Sequence, residues 1–248
     1  MVSVSIIVPA RNEAGTIQKI ADELPSLGST TEIVFVEGNS RDNTWEEIRH
    51  VAATYRGPHT IRFAQQPGRG KYDAVRAGFA MATGDILMIY DGDMSVPPSE
   101  LPLFYTLLDS DKARFANGSR FVYGQEHGAM RFFNNLGNRF FTAAVSLVLG
   151  QRLTDTLCGT KVLWRKDYEK MRKLRSFLGP RDPFGDFDLL LNAAMLKLTI
   201  AEVPIHYKER IYGTTNINRW RDGLRLLKLT LLMLWYRITT RLTPFDTY

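Results

Sequence analysis

Short apolar runs that predict β-strands alternate with helical segments through the first half of the chain. The strand-like runs cover residues 3–9, 32–37, 60–64 and 86–90, and the helix-like segments between them cover residues 12–24, 45–55 and 71–81. Strands separated by helices of about 10–15 residues indicate βαβ units and a parallel sheet. We therefore expect an α/β protein whose first half is a doubly wound, nucleotide-binding sheet.

The second half of the chain is less regular. Helical segments are predicted at residues 97–108, 132–149 and 188–198, and Gly137 is expected to interrupt the second of them. Strands are predicted at residues 114–118, 161–165 and 200–206. A last segment, residues 220–242, has a short apolar centre between arginines. It is either a helix packed on the domain or a helix at an anionic membrane surface.

The fourth strand-like run brings two carboxylates to its C-terminal end. Residues 86–90 are all large and apolar, which predicts a strand buried on both faces. Asp91 and Asp93 follow it, and Gly92 between them lets the backbone bend around a bound group. Ligands bind beyond the carboxyl ends of the strands in such sheets, and paired carboxylates suit Mg²⁺ or Mn²⁺ carrying a diphosphate. A solvated acidic turn is the alternative, which the buried strand disfavours.

Composition narrows the class of protein and its partners. With 44% hydrophobic and 23% charged residues the chain is globular, and its net charge of +6 favours anionic partners such as nucleotides and lipid head groups. Cys158 is the single cysteine, which fits a reducing compartment. No signal sequence, apolar stretch of about 18 residues or nucleic-acid recognition motif is visible. We expect a cytoplasmic protein, peripheral on the membrane, that does not bind nucleic acid.

Several motifs in order carry a family resemblance. Taken together, residues 5–13, 32–44, 70–95 and 117–120 resemble the family 2 glycosyltransferases of GT-A fold. Within that family the chain is most similar to the dolichyl-phosphate mannose synthase and polyprenyl-phosphate hexosyltransferase branch. The resemblance implies a Rossmann-like, mostly parallel catalytic domain at residues 1–215. A basic amphipathic helical segment would follow at residues 216–248.

The resemblance also implies a donor site. The turn after the first strand would hold the nucleotide, through Pro9, Ala10, Arg11, Asn12 and Glu13. Glu37 and Gly38 end the second strand, where the family commonly has two acidic residues, and are expected beside the base. Lys71 faces the diphosphate or is a plain surface lysine. Asp91 would lie nearer the nucleotide, and Asp93 would take the divalent metal.

Three arginines match positions that hold the acceptor phosphate in the lipid-phosphate branch. Arg120 follows a strand, Arg131 begins the next helix and Arg210 lies in a late turn. Guanidinium groups fit phosphate oxygens bidentately, although a single arginine is more often a surface ion-pair partner. Three of them at matching positions favour a polyprenyl phosphate acceptor.

Asp186 and Asp188, either of which could act as a base, indicate a competing acceptor. Inverting family members that glycosylate a hydroxyl use an acidic residue near this point as general base, because an alcohol must lose its proton as it attacks. A phosphate is already anionic, and Asp186 would then only cap the helix predicted at residues 188–198. The sequence leaves both choices open.

The leading hypothesis is therefore an inverting, metal-dependent transferase. It would move a hexose from a GDP- or UDP-sugar to a polyprenyl or dolichyl phosphate at a membrane surface. One alternative is transfer to a saccharide or small-molecule hydroxyl with Asp186 as base. The other is a non-catalytic, membrane-associated protein that binds nucleotide sugars.

Overall fold

A computed structural model describes residues 2–122, 132–174, 178–182, 184–213 and 219–240. Its strands β1 to β7 are Val4–Ala10, Thr31–Glu37, Thr60–Gln65, Ile86–Ile89, Phe115–Ser119, Lys161–Trp164 and Ile200–Pro204. Its helices α1 to α8 are Ile17–Glu23, Thr44–Thr54, Lys71–Met81, Leu101–Asp109, Phe132–Leu149, Arg165–Lys173, Asp186–Met195 and Arg219–Thr240. Turns of 3₁₀ helix lie at Ala14–Thr16, Pro98–Glu100 and Gly179–Arg181. The alternation of strand and helix through β4 follows the predicted order.

The strands form one sheet in the order β3-β2-β1-β4-β6-β5-β7. Strand β6 runs antiparallel to both its neighbours, and the other pairs are parallel. The predicted mostly parallel α/β sheet is confirmed. Because only β6 is reversed, its first residue lies at the same edge as the last residues of the other strands. That edge therefore collects Ala10, Glu37, Ser119 and Lys161, with Asp91 just beyond β4.

Apolar side chains cover both faces of the sheet. Along β1, Ile6 and Val8 pack into one buried cluster and Ile7 into the other. Helices α1, α2 and α4 contribute to the first cluster, whereas α3, α5, α6, α7 and α8 contribute to the second. All four residues of β4 are buried, as predicted for a strand covered on both faces.

The structure corrects two local predictions and adds a helix that was not predicted. The helix predicted from Asn12 begins with the 3₁₀ turn at Ala14, because Asn12 has a φ of 56° and lies outside the helical region. Helix α5 continues through Gly137 without interruption. Helix α6 was not predicted, since its sequence is mostly charged and only Tyr168 and Met171 give it an apolar side.

Helix α8 has two different apolar faces. Leu229 and Met233 are buried, and Arg237 Nη1 donates to the carbonyl of Leu147 in α5 at 2.5 Å, so one face packs on the domain. The other face has an exposed stripe with helical spacing, formed by Leu224, Leu227, Leu231, Trp235 and Ile238. Of the helices the structure describes, none has the length and apolar character needed to cross a membrane.

Candidate active site

The turn after β4 carries Asp91 and Asp93 and is tied to the turn after β1. Thr16 Oγ1 donates to the carbonyl oxygen of Gly92 at 2.7 Å and to that of Glu13 at 2.8 Å. Asp93 Oδ1 accepts hydrogen bonds from the amide and the hydroxyl of Ser95, at 3.0 and 2.7 Å. The two turns that the sequence assigns to nucleotide and metal are therefore adjacent.

Each of the two carboxylates has a cationic partner. Lys71 Nζ pairs with Asp91 Oδ1. Arg210 Nη2 lies 2.9 Å from Asp93 Oδ2, and its Nη1 lies 3.7 Å from Glu13 Oε1. Lys71 was predicted to face the diphosphate and Arg210 to bind the acceptor phosphate. Both lie beside Asp91 and Asp93, the carboxylates predicted to bind the metal.

Lys71 is held in its charged form at this site. Burial lowers its pKa, but the charges of Asp91 and Asp186 outweigh burial and raise the pKa above its ordinary value. The backbone of Gly159 passes directly beside this ion pair, so a Cβ there would collide with the Asp91 carboxylate and with Lys71 Nζ. Glycine is the residue that permits this approach.

Gly159→Ala should therefore displace the Lys71–Asp91 pair. A displacement of about 1 Å at a reacting centre costs on the order of 10²-fold in rate, and we expect a loss of that size in donor turnover. The matched control is Gly223→Ala in α8, where a Cβ would meet nothing within 4 Å. Turnover of nucleotide sugar measures the effect, and equal rates in both variants would contradict it.

Glu13 is a buried acid between the two turns. It is 5% exposed, and its Oε2 has no hydrogen-bond partner within the described ranges. Burial raises its pKa, Arg210 opposes this, and Asp93 and Asp91 raise it further, to about 8. Glu13 therefore keeps its proton in the folded protein near neutral pH.

This proton makes stability depend on pH. Above the ordinary pKa of 4.5 the unfolded chain releases the proton, while the folded protein keeps it until about pH 8, so stability falls across that window. Glu13→Gln removes the titration. Its melting temperature should rise relative to wild type between pH 5 and pH 8 by up to about 8–16 °C, since one proton held only by the folded protein changes stability by ~1.4 kcal/mol per pH unit, or about 4 kcal/mol over three units. A constant difference across thermal melts at these pH values would mean that Glu13 is ionised.

The predicted nucleotide residues lie on two neighbouring turns. Pro9 and Ala10 end β1, and Arg11, Asn12 and Glu13 follow. Asn12 links the turns, because its amide donates to Ser40 Oγ at 3.0 Å and its Oδ1 accepts from the amide of Arg41 at 2.8 Å. Glu37 is buried and accepts from the amide of Ser40 at 2.5 Å. Its carboxylate thus fixes the turn that Gly38 begins.

Arg120 forms a buried ion pair that the sequence did not predict. Its Nε and Nη2 lie 2.6 and 2.9 Å from the two carboxylate oxygens of Asp155, which is fully buried. Burial raises the pKa of Asp155, but Arg120 outweighs burial and holds it below the ordinary value. The guanidinium also lies 5.3 Å from the ring of Tyr207, which hydrogen-bonds Ser95. A continuous set of contacts thereby joins Arg120 to Asp93.

Asp186 is engaged by a lysine. Lys161 is fully buried, and its Nζ donates to Asp186 Oδ1 at 2.7 Å and to the carbonyl of Cys158. One alternative from the sequence was that Asp186 caps this helix. That alternative is wrong, because Asp186 does not cap α7. Asp182 Oδ2 instead accepts from the amides of Phe187 and Asp188 at 2.9 and 3.0 Å. Burial and the nearby charge of Asp186 raise the pKa of Asp182 to about 6.

Arg131, the remaining predicted site residue, lies outside the described residues. Asp155, Lys161, Ser95 and Tyr207 are the partners that sequence reasoning missed. Each is joined to its partner by packing of separate segments, and no local motif marks any of them.

The chemistry of Asp91 and Asp93 fits a divalent cation that arrives with substrate. Among the described residues no three His, Cys, Asp or Glu side chains form a cluster that could hold a metal by themselves. Mg²⁺ and Mn²⁺ at nucleotide sites commonly take one or two protein carboxylates and complete their shell with substrate phosphates and water. Two carboxylates on one turn are therefore a sufficient protein contribution.

Comparison with known proteins supports these assignments at the level of family and fold. Residues 5–172 match the sequence model of Glycosyl transferase family 2. The chain is 29% identical to the dolichol-phosphate mannosyltransferase of Pyrococcus furiosus, covering 98% of this chain and 67% of that protein. It is 27% identical to the glycosyltransferase AglD of Haloferax volcanii, covering 97% of this chain but 38% of that protein. The chain thus spans less than half of the second relative.

Solved structures share the fold. Glucosyl-3-phosphoglycerate synthase from Mycobacterium tuberculosis, in complex with Mn²⁺, UDP and glucosyl-3-phosphoglycerate, superposes with a TM-score of 0.65 at 20% identity. The match covers 94% of this chain and 79% of the synthase. A mycobacterial protein gives a TM-score of 0.66 at 24% identity, over 95% and 74% of the two chains. The seven-stranded sheet is the GT-A fold.

Proposed function

Because the chain belongs to Glycosyl transferase family 2, we propose that it transfers a hexose from a nucleotide sugar to a polyprenyl phosphate, with inversion and with a divalent cation. The name of the Pyrococcus furiosus relative supports a dolichol-phosphate acceptor. The Mn²⁺ and UDP in the synthase complex support a metal and a nucleotide donor. The proposed catalytic domain is residues 1–215.

The Lys161–Asp186 pair is the observation that carries the acceptor class. Asp186 is 6% exposed, and its Oδ1 accepts a hydrogen bond from the buried Lys161 Nζ at 2.7 Å, so this carboxylate serves a contact inside the protein. Transfer to a hydroxyl requires a base, whereas a phosphate oxygen attacks without one. The site is therefore better suited to an acceptor that is already anionic.

In the proposed reaction a phosphate oxygen of the lipid attacks the anomeric carbon of the sugar. The bond from that carbon to the diphosphate oxygen breaks, and its electron pair leaves with the nucleoside diphosphate. Asp91 and Asp93 would hold Mg²⁺ or Mn²⁺, which when bound offsets charge on the leaving diphosphate. Lys71, protonated beside Asp91, adds positive charge on the same side.

The arginines have different proposed roles. Arg210 is 23% exposed at its side chain and lies beside Asp93, from where it can bind the acceptor phosphate next to the donor. Arg120 is proposed to be a positioning residue. Its guanidinium group is bound by the carboxylate of Asp155, and Tyr207 lies between it and Ser95. Arg131 stays a predicted ligand of the acceptor phosphate.

Asp186→Asn tests the acceptor class. With a phosphate acceptor, transfer per folded molecule should fall by less than about 10-fold, because Asp186 serves only the ion pair. A general base is worth on the order of 10²–10⁴-fold, so a loss of that size would establish a hydroxyl acceptor instead. Circular dichroism gives the folded fraction. Asp167→Asn is the matched control, because Asp167 is a buried acid of α6 that pairs with Arg114.

We propose that α8 brings this site to the cytoplasmic face of a membrane. Its outer stripe exposes Leu224, Trp235 and Ile238 by 58–76%, and the side chains of Arg221 and Arg225 are 61% and 51% exposed. Apolar and aromatic side chains beside arginines suit the interface of an anionic bilayer. The free thiol of Cys158 is compatible with a reducing compartment.

A further inference from the structure

The chain that follows β7 crosses the edge of the sheet at the turn that carries Asp93. We call residues 206–213 the crossing segment. The amide of Lys208 donates to the carbonyl oxygen of Ser95 at 2.9 Å, and the amide of Ile211 lies 3.5 Å from the carbonyl oxygen of Asp93. Backbone contacts therefore hold the crossing segment against the turn after β4.

The far end of the crossing segment packs on the turn after β1. A Cβ at Gly15 would collide with the ring of Tyr212, so this ring lies directly against the backbone of Gly15. Gly213 has a φ of 70°, and a Cβ there would lie 3.0 Å from the carbonyl oxygen of Asn12. The crossing segment thus bridges the two turns that form the candidate active site.

The chemistry of the crossing segment changes at Arg210. The two residues before this arginine are charged and exposed. Ile211 and Tyr212, which follow it, are 52% and 37% exposed. An apolar surface therefore begins at the residue next to the arginine that is proposed to bind the acceptor phosphate.

Their position distinguishes these two side chains from other exposed apolar residues. Single exposed apolar side chains are common on protein surfaces. Consecutive Cα atoms are about 3.8 Å apart, however, so the Cα atoms of Ile211 and Tyr212 lie within about 8 Å of that of Arg210. The first carbon of a lipid phosphate is bonded to a phosphate oxygen. A phosphate bound at Arg210 thus brings the start of its chain within reach of both side chains.

We propose that Ile211 and Tyr212 form an apolar subsite for the first carbons of the acceptor chain. This inference rests on the proposed phosphate acceptor and adds which kind of phosphate monoester the site selects. An ester with an apolar group at the phosphate would cover both side chains, whereas a polar ester such as a sugar phosphate would leave them in water. The subsite is distinct from the outer stripe of α8, which we assign to the bilayer.

Two water-soluble acceptors test the subsite in the full chain without a membrane. Citronellyl phosphate carries a short isoprenoid chain, whereas methyl phosphate offers the same phosphate with a single methyl group. We expect kcat/KM for sugar transfer to be at least about 20-fold higher with citronellyl phosphate, the scale of burying one apolar side chain. Labelled glycosyl phosphate, separated by chromatography, is the readout.

Two serine variants locate this preference. Ile211→Ser and Tyr212→Ser should each lower kcat/KM for citronellyl phosphate by about 5-fold, because each removes about half of the apolar contact. Both should leave kcat/KM for methyl phosphate and the KM of the donor within about twofold. Ile211→Leu keeps the apolar surface and should keep the preference. Leu103→Ser is the matched control, because Leu103 lies on α4 and is 54% exposed.

The outcomes separate the subsite from the proposed function. An unchanged preference in both serine variants would overturn the subsite, even if the protein transfers sugar to polyprenyl phosphate. A raised donor KM in Tyr212→Ser, with the preference retained, would place this ring at the nucleotide sugar and would overturn the subsite too. Failure to transfer sugar to any phosphate would refute the proposed function and the subsite together.

Discussion

Replacing Asp93 by Asn is expected to lower metal-dependent hexose transfer by about 10²–10³-fold, the scale of one lost electrostatic contact to the leaving group. Asn keeps the shape of the side chain and its hydrogen bonds from Ser95 but removes the charge that a divalent cation requires. Arg210 would also lose its partner at 2.9 Å. Initial rates at saturating donor and metal measure the loss.

The fold should tolerate this change. The side chains of Arg210 and Asp93 are 23% and 16% exposed, so water can solvate the arginine once the charge of Asp93 is removed. Asp111→Asn is the control, because Asp111 is 82% exposed at its side chain and precedes β5, at the edge of the sheet opposite the one where β4 ends. Transfer by Asp93→Asn at a rate near that of Asp111→Asn would remove Asp93 from the mechanism.

Asp155→Asn is expected to give the largest loss of stability. Removing one partner of a buried ion pair typically costs about 3–5 kcal/mol, because the remaining charge loses that partner in a place that water solvates poorly. Arg120 is 8% exposed and both carboxylate oxygens of Asp155 bind it, so this pair meets that condition. For a chain of this size the melting temperature should fall by about 6–20 °C.

Two further variants separate the charge effect from packing. Glu23→Gln breaks the exposed Lys19–Glu23 pair and should cost less than about 0.5 kcal/mol. The double variant Arg120→Met/Asp155→Leu should recover most of the stability lost in Asp155→Asn, because neither residue leaves an unpaired charge. A melting temperature of Asp155→Asn within about 2 °C of wild type would mean that the Arg120–Asp155 pair contributes little to stability.

Features encoded by local pattern could be predicted from the sequence. The βαβ alternation, the bounds of α3 and the burial of β4 all follow from apolar periodicity and helix signals within short windows. The position of Asp91 and Asp93 follows in turn, since the parallel strands of such a sheet end at the edge where ligands bind. The family match confirms the resemblance that these motifs carry.

Features made by distant segments could not be predicted. Asp155 is 35 residues from Arg120, and Lys161 is 25 residues from Asp186, and neither spacing belongs to a motif. Their pairing results from the reversed strand β6, which brings its first residue to the edge where the parallel strands end. Helix α6 was missed for a different reason, because only Tyr168 and Met171 of its residues are apolar, and a short, mostly charged segment is also typical of a surface loop.

A transfer assay with labelled UDP- and GDP-sugars, polyprenyl phosphate in anionic vesicles, and Mg²⁺ or Mn²⁺ against EDTA tests the proposed function most directly. The label extracted into organic solvent is the readout. We expect label in that phase with one donor, dependent on metal, lost in Asp93→Asn and kept in Asp111→Asn. Nucleotide release without label in the organic phase would contradict the lipid phosphate acceptor, and undiminished label in EDTA would contradict the metal at Asp91 and Asp93.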